Sequence, residues 1–162
     1  PRVMAEVVSR RYTRVKNEQG ALPDLVLIDG GLTQLRAARE QPEPQRLLFV
    51  FAIAELPGDS TTEERARFEA GEGGALVPLM SVDKDPDDLA SFASLAQESR
   101  QFADDWSMVF VAGLSGRDGR KPTSEQTDQA LQRMIESVKT GSFGAFIPFD
   151  RQGLPLQLSP RP

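Results

Sequence analysis

The feature that most limits the fold is an uninterrupted apolar run from Leu47 to Ala54. A strand with one face in water alternates polar and apolar side chains, whereas this run has no polar residue on either face. Its length suits a strand and is far too short to cross a bilayer. The run therefore predicts a central strand whose two faces are both covered by other parts of the chain.

Two later segments have the apolar spacing of an amphipathic helix, and each follows a start signal. Thr123 and Gln126 form a capping box, and Asp85 followed by Pro86 is a favoured N-cap and first helical position. The apolar residues at i, i+3, i+4 and i+7 are Leu131, Met134, Ile135 and Val138 in one segment and Leu89, Phe92, Ala93 and Ala96 in the other.

The remaining signals extend this alternation of helices and strands. Ser60 and Glu63 form a further capping box, which predicts a short helix ending near Ala70. We expect strands at 75–82 and 107–112, a final hairpin at 143–149 and 154–158, and an N-terminal helix–strand–helix segment at 2–18, 24–29 and 33–40. The pattern predicts an α/β fold, with α+β as the alternative, in which helices cover a mixed sheet of four or five strands.

A change of composition divides the chain near residue 41. Two prolines in the segment 41–45 oppose helix continuation. Residues 1–40 hold seven basic and five acidic residues, a net charge of +2, and the other 12 basic and 19 acidic residues give −7. We therefore predict an N-terminal segment at 1–40 and a small α/β domain at 41–162.

Two residue types are missing, and their absence removes whole classes of chemistry. The chain has no cysteine and no histidine, so thiol nucleophiles, disulfides and histidine bases are excluded. Any bound metal would be a hard cation held by carboxylates. No apolar run is long enough to span a membrane and no signal peptide is recognisable, so we expect a cytoplasmic protein. A first residue of Pro1 rather than Met is consistent with a piece of a longer chain.

The carboxylate with the clearest chemical context is Asp29, at the end of the predicted strand 24–29. Gly30 and Gly31 follow it directly, and glycines let a ligand approach the backbone closely. Such a carboxylate has two readings from spacing alone. It either bonds the amides of a turn or holds a metal ion at the rim of a sheet.

The run RRYTRVKNEQGALPDLVLIDGG at 10–31, followed by Gln34 and Leu35, resembles the endonuclease region of UvrC, the incision subunit of bacterial nucleotide excision repair. The resemblance covers roughly residues 3–38. It implies a ribonuclease-H-like fold that cuts DNA with Mg²⁺ or Mn²⁺, and it places Asp29 at a catalytic, metal-binding aspartate. The family site also uses a histidine, which this chain lacks, and a Lys-Gly pair, which is Leu32-Thr33 here.

Four basic residues precede this motif on the predicted first helix, namely Arg10, Arg11, Arg14 and Lys16. Given the resemblance, they are candidates for contacts with DNA phosphates, which would be nonspecific and sensitive to salt. The alternative is a solvated helix face.

Residues 42–158 resemble a small uncharacterised proteobacterial family that is sometimes labelled ribonucleotide reductase alpha subunit. Ribonucleotide reduction requires redox-active cysteines, and the chain has none. This second resemblance therefore implies a fold and no mechanism.

The glycine- and arginine-rich stretch 113–121 follows a predicted strand and precedes a helix. Backbone amides in such a place can bind phosphate, which makes Gly116, Gly119, Arg120 and Lys121 candidates for an anion site. The spacing is neither that of a Walker motif nor GxGxxG. The alternative is a plain connection.

Together these observations favour a non-catalytic binding or interaction module that carries a partial UvrC-like segment, joined near residues 31–42 as in a fusion or chimera. A protein partner or a second copy of the chain is compatible with this reading, and no cofactor is expected. The alternative is a DNA-repair nuclease that binds or incises DNA with Mg²⁺ or Mn²⁺ at Asp29.

Overall fold

The computed structural model describes residues 43–156 and residue 158, so the predicted N-terminal helix–strand–helix segment lies outside the described residues. The elements in chain order are β1 (Gln45–Glu55), α1 (Thr62–Glu69), β2 (Ala75–Lys84), a 3₁₀ turn (Pro86–Asp88), α2 (Phe92–Ser99), β3 (Met108–Ser115), α3 (Ser124–Lys139), a second 3₁₀ turn (Phe143–Ala145) and β4 (Ile147–Phe149). None of the helices in this part of the chain is long and apolar enough to cross a membrane.

The four described strands form one sheet in the order β2-β1-β3-β4. The α/β class and the strand number are confirmed, but every described pairing is antiparallel, which corrects the expected mixed sheet. The expectation failed because a continuous apolar strand is typical of parallel sheets. Here helices cover both faces of an antiparallel sheet, and that coverage produces the same sequence pattern.

Strand β1 is the centre of two separate hydrophobic clusters. Leu47, Phe49 and Phe51 pack on one face with Leu95 and Ala96 of α2. The alternate residues Leu48, Val50 and Ala52 pack on the other face against α3. Because successive side chains of a strand point to opposite faces, one apolar run serves both clusters, and the predicted two-sided central strand is confirmed.

Trp106 anchors the cluster on the α2 side. Its side chain is fully buried, and its ring meets Phe51 edge to face at a centroid distance of 5.0 Å. The indole N–H donates a hydrogen bond of 2.8 Å to the Ser99 hydroxyl at the end of α2, which satisfies the one polar atom of the ring. The guanidinium of Arg151 lies over the same ring at 5.2 Å.

Helix α3 begins as its sequence predicts. The Thr123 hydroxyl accepts from the Gln126 amide at 3.1 Å, and the Gln126 side chain accepts from the Thr123 amide at 2.9 Å. The buried residues of the helix are Thr127, Ala130, Leu131, Met134 and Val138. Three of the four residues in the predicted stripe are among them, and Ile135 lies half-buried beside them.

Helix α1 begins one residue later than predicted, because Thr61 and Glu64, not Ser60 and Glu63, form its capping box. Both pairs have the required spacing. The Ser60 hydroxyl instead donates to the Pro57 carbonyl at 2.6 Å, and Ser60 lies one residue before the N-cap, Thr61. None of the eight residues of α1 is buried.

Asp85 is an N-cap and Pro86 a first helical residue, as predicted, but they begin only the first 3₁₀ turn. Leu89 then adopts an extended conformation, and α2 starts after its own N-cap, Ser91. Ala93, predicted on the apolar stripe, is exposed. The final hairpin is present as β4 and a short return, with the Leu156 amide donating to the Pro148 carbonyl at 2.8 Å.

Candidate functional site

The sequence-predicted residues divide into two groups with different outcomes. Asp29 and the basic residues Arg10, Arg11, Arg14 and Lys16 lie outside the described residues, and their roles stay predictions. The candidate anion residues in the turn after β3 are described in atomic detail.

This turn is tighter than the sequence suggested, since Gly113 still belongs to β3. Asp118 and Gly119 occupy its two central positions with φ values of 53° and 69°. Two positive φ values in succession define the mirror-image turn that suits a hairpin. Arg117 and Arg120 close the turn, each amide donating to the other's carbonyl, at 3.1 and 2.9 Å.

Gly116 fixes the base of this turn. A Cβ atom at this position would lie 1.8 Å from the Arg120 carbonyl oxygen, so no larger residue fits without moving the backbone. The Gly116 amide donates to the Pro44 carbonyl at 2.8 Å. The turn is therefore held both to itself and to the segment before β1.

The Gly119 amide already binds an anionic group, and that group belongs to the chain itself. The amide donates to a carboxylate oxygen of Glu43 at 2.8 Å. Backbone amides at such a turn attract anions. Their partner here is an acidic residue from the segment before β1.

Lys121 also has an internal partner. Its ammonium group forms a short ion pair with the carboxylate of Asp85, which additionally accepts from the Asp87 amide at 3.1 Å. The bond from Lys121 holds the pKa of Asp85 below its ordinary value of 3.8, and the Asp87 amide adds to this effect. The bond from Asp85 raises the pKa of Lys121 above 10.5.

A second ion pair lies close by at the same end of the sheet. The Arg46 guanidinium of β1 donates to the Asp83 carboxylate of β2 at 2.5 Å. Across residues 43–156, no three acidic side chains are grouped so that they could hold a metal ion. The two carboxylates at the end of β2, Asp83 and Asp85, are bonded to cations of the chain.

A polar cavity of about 260 Å³ that was not predicted from the sequence lies between the turn and α3. Its polar lining residues are Ser115, Arg117, Gln126, Gln129 and Arg133. A signal was present, since the last three lie at i, i+3 and i+7 and so share one side of a helix. Such a polar pattern is easily overlooked, because helical spacing is usually read from apolar residues.

An apolar cavity of about 240 Å³ lies beside α2. Phe51, Met80, Val82, Leu95 and Phe102 contribute to its lining. The Phe102 side chain is 79% exposed, although it is one of the larger apolar groups of the domain. Lys84 and Glu98 also line this cavity, and they form an ion pair of 2.8 Å with each other.

Comparison with protein families gives a match to the UvrC RNAse H endonuclease domain over residues 1–103. This confirms the first resemblance and extends it, because the motifs that suggested it end near residue 38. The match runs across β1, α1, β2 and α2. It also crosses the predicted boundary at residue 41, so the division into 1–40 and 41–162 stays a prediction.

Curated relatives carry the name UvrABC system protein C. The protein of Solibacter usitatus (strain Ellin6076) is 36% identical over 123 residues, 75% of this chain and 17% of the relative. That of Coxiella burnetii (strain CbuK_Q154) is 46% identical over 57 residues, 34% of this chain and 9% of the relative. That of Treponema denticola is 63% identical over 35 residues, 22% of this chain and 5% of the relative.

The chain thus spans less than a fifth of the length of each of these relatives. No solved structure gives a significant match. The ribonucleotide reductase resemblance receives no support from these matches.

Proposed function

Since this chain belongs to the UvrC RNase H endonuclease domain family, we propose that it is a binding module related to that nuclease and that it does not itself cut DNA. Family membership supports the relation to DNA repair. The absence of incision is inferred from the carboxylates of the described domain.

The observation that carries the proposal is that both carboxylates at the end of β2 are bonded to cations of the chain. Asp83 bonds Arg46 at 2.5 Å, and Asp85 bonds Lys121. A divalent metal site for phosphodiester cleavage needs carboxylates that are free to coordinate the ion. A carboxylate already bonded to a cation of the chain would have to release that partner before it could bind a metal.

The sequence supports the same conclusion for the N-terminal motif. The UvrC endonuclease site that the motif resembles uses a histidine, and the chain contains none. Leu32 and Thr33 replace the Lys-Gly pair that follows the aspartate in the family pattern. Asp29 would therefore act without two of the groups that accompany it in the family.

The binding role is supported by the two open cavities. One is lined by polar residues of the turn and α3, and the other mainly by apolar residues of β1, β2 and α2. Concave sites of this kind are where small domains bind ligands. Neither cavity is lined by Asp83 or Asp85.

A second candidate function is DNA binding or incision through the N-terminal segment. The family match includes Asp29 and the basic residues Arg10, Arg11, Arg14 and Lys16. In this alternative Asp29 would hold Mg²⁺ or Mn²⁺ and the basic side chains would contact phosphates.

An incision assay with labelled duplex DNA and Mn²⁺ at low salt separates the two functions. Wild type, Asp29→Asn and the control Asp128→Asn are compared, the control being an exposed aspartate on α3. We expect no cleavage by any of the three proteins. Cleavage by wild type and Asp128→Asn that is lost in Asp29→Asn would overturn the proposal and establish the nuclease.

The same samples are run on a native gel to test DNA binding. Retardation that persists in Asp29→Asn and disappears in the triple variant Arg10→Ala, Arg11→Ala, Arg14→Ala would identify a DNA-binding module without incision. Retardation unaffected by the triple variant would show that Arg10, Arg11 and Arg14 do not carry DNA binding and would contradict that part of the second candidate function.

A further inference from the structure

We propose that the polar cavity between the turn after β3 and helix α3 binds the phosphate group of a small phosphate monoester. The inference rests on the proposed binding role and gives it a ligand class. It does not depend on Asp29 or on the basic N-terminal residues.

The charge of the cavity is the first argument. Two arginines, Arg117 and Arg133, line it, and no acidic residue does. Neither guanidinium forms an ion pair or hydrogen bond with any other described residue. Paired guanidinium groups are the typical protein ligands of phosphate, because their planar N–H groups match its oxygens.

The hydrogen-bond donors of the wall are the second argument. The Ser115 hydroxyl accepts from the side-chain amide of Gln45 at 2.8 Å, and Gln45 is only 4% exposed. An oxygen that accepts this bond is free to direct its own proton elsewhere. Gln126 uses its side-chain oxygen to accept from the Thr123 amide at 2.9 Å, so its NH₂ group is free to donate.

Acidic residues adjoin the cavity but do not line it. Glu125 accepts a bond of 3.4 Å from the Gln129 side chain. Asp118 lies in the turn next to Arg117. The lining itself is therefore donor-rich and carries two positive charges, which suits an oxyanion and opposes a cation.

The two arginines stand on rigid supports, which lowers the entropy cost of binding. The backbone of Arg117 is held by its two bonds with Arg120, and the neighbouring Gly116 amide donates to the Pro44 carbonyl. Arg133 lies in the middle of α3, whose buried side includes Leu131 and Met134. Both side chains start from elements that the core or the turn holds in place.

The volume of the cavity limits the ligand. About 260 Å³ lies just below the range of about 300–1,000 Å³ typical of pockets for drug-sized molecules. A phosphate with a small organic group fits this space. A ligand of this size is distinct from a DNA duplex, which the alternative function would place on the basic N-terminal residues.

The inference is tested by calorimetric titration of the full chain with glycerol 3-phosphate at low salt. Arg133→Ala and Arg117→Ala should each weaken binding at least about tenfold, because each removes a charged donor. Arg133→Lys should recover only part of the affinity, since lysine keeps the charge and loses the planar fork. The matched controls are Arg120→Ala, in the same turn, and Arg67→Ala, on α1, because neither residue lines the cavity.

Equal weakening by Arg120→Ala or Arg67→Ala would show attraction to diffuse charge and would overturn the inference. Lack of binding by wild type at millimolar glycerol 3-phosphate would overturn it as well. A parallel titration with a single-stranded oligonucleotide identifies the source of the phosphate. Binding of the oligonucleotide alone, weakened by Arg133→Ala, would contradict the small-ligand site while leaving the incision result unaffected.

Discussion

The two sides of the turn after β3 carry similar cationic residues in opposite situations. Lys121, on one side, is bonded to Asp85, and the Gly119 amide nearby is bonded to Glu43. Arg117, on the other side, lines a cavity with Arg133 and has no ion-pair partner within the described domain. Basic residues four positions apart therefore differ in whether they are available to a ligand.

This difference shows that the donors of a cationic turn are free or occupied according to the acidic groups that lie near them in space. Asp85 and Glu43 precede the turn in sequence by many residues, yet each neutralises one donor of it. The side that faces α3 has no such acid in its cavity wall. On our proposal, the side with Lys121 stabilises the fold and the side that faces α3 accepts a ligand.

The largest predicted effect comes from breaking the turn that separates the two sides. Gly116→Ala places a Cβ atom 1.8 Å from the Arg120 carbonyl oxygen, and the backbone must move. We expect a loss of about 3 kcal/mol in the free energy of unfolding, measured by urea denaturation. The ion pair between Lys121 and Asp85 and the polar cavity beside α3 should both be disturbed.

Two other glycines serve as controls for this prediction. Gly58→Ala meets open space and should leave stability nearly unchanged. Gly119→Ala also meets open space but has a φ of +69°, and it should cost about 1 kcal/mol. A Gly116→Ala protein as stable as Gly58→Ala would show that the turn is not held as described.

A smaller effect is expected on the internal side, at Asp85. Asp85→Ala removes the N-cap of the first 3₁₀ turn and the partner of Lys121, with a cost of about 1 kcal/mol for the cap. Asp85→Asn keeps the cap and removes the charge, so it should be the milder variant. Equal losses for both variants would place the whole contribution in the ion pair.

The charge of Asp85 also predicts a dependence on pH. Its folded pKa is lowered below 3.8 by Lys121, so the stabilisation is fully present above pH 3.8 and is lost as pH falls through the folded value. The stability difference between wild type and Asp85→Asn should therefore shrink below pH 4 in urea unfolding curves. A difference that stays constant down to the lowest pH would remove the ion pair as its cause.

The smallest effect on stability is expected on the cavity side. Arg117→Ala and Arg133→Ala remove exposed cations with no partner in the described part of the chain, and each should change the free energy of unfolding by less than about 0.5 kcal/mol. A larger loss, measured by urea denaturation, would mean that these arginines stabilise the fold. They would then not differ from Lys121 in that respect.

Much of the fold could be predicted from short sequence patterns. The two-sided burial of β1 follows from its apolar run, and α3 begins and buries its stripe where its capping box and spacing indicate. The start of α1 was predicted one residue too early. Two overlapping capping boxes have the same spacing there, and the helix uses the later one, in which the Glu64 side chain accepts from the Thr61 amide. The strand directions were missed because burial on both faces looks the same in parallel and antiparallel sheets.

The candidate site was predicted less well than the fold. The residues of the turn after β3 were predicted as an anion site, and that stays a prediction, since the anionic group that the Gly119 amide meets in the described chain is Glu43. The cavity lined by Arg117 and Arg133 was missed because its two arginines come from a turn and a helix. Asp29 and the basic N-terminal residues stay predictions that rest on family membership.

The sequence by itself determined the local order of this chain and its family. Capping boxes, apolar periods and glycine turns act over a few residues, so they can be read directly. Only the tertiary structure decided which charges neutralise one another, since Lys121 meets Asp85 across 36 residues and Gly119 meets Glu43 across 76. Electrostatic partners depend on distance in space, and that distance is set by the packing of the sheet and its helices.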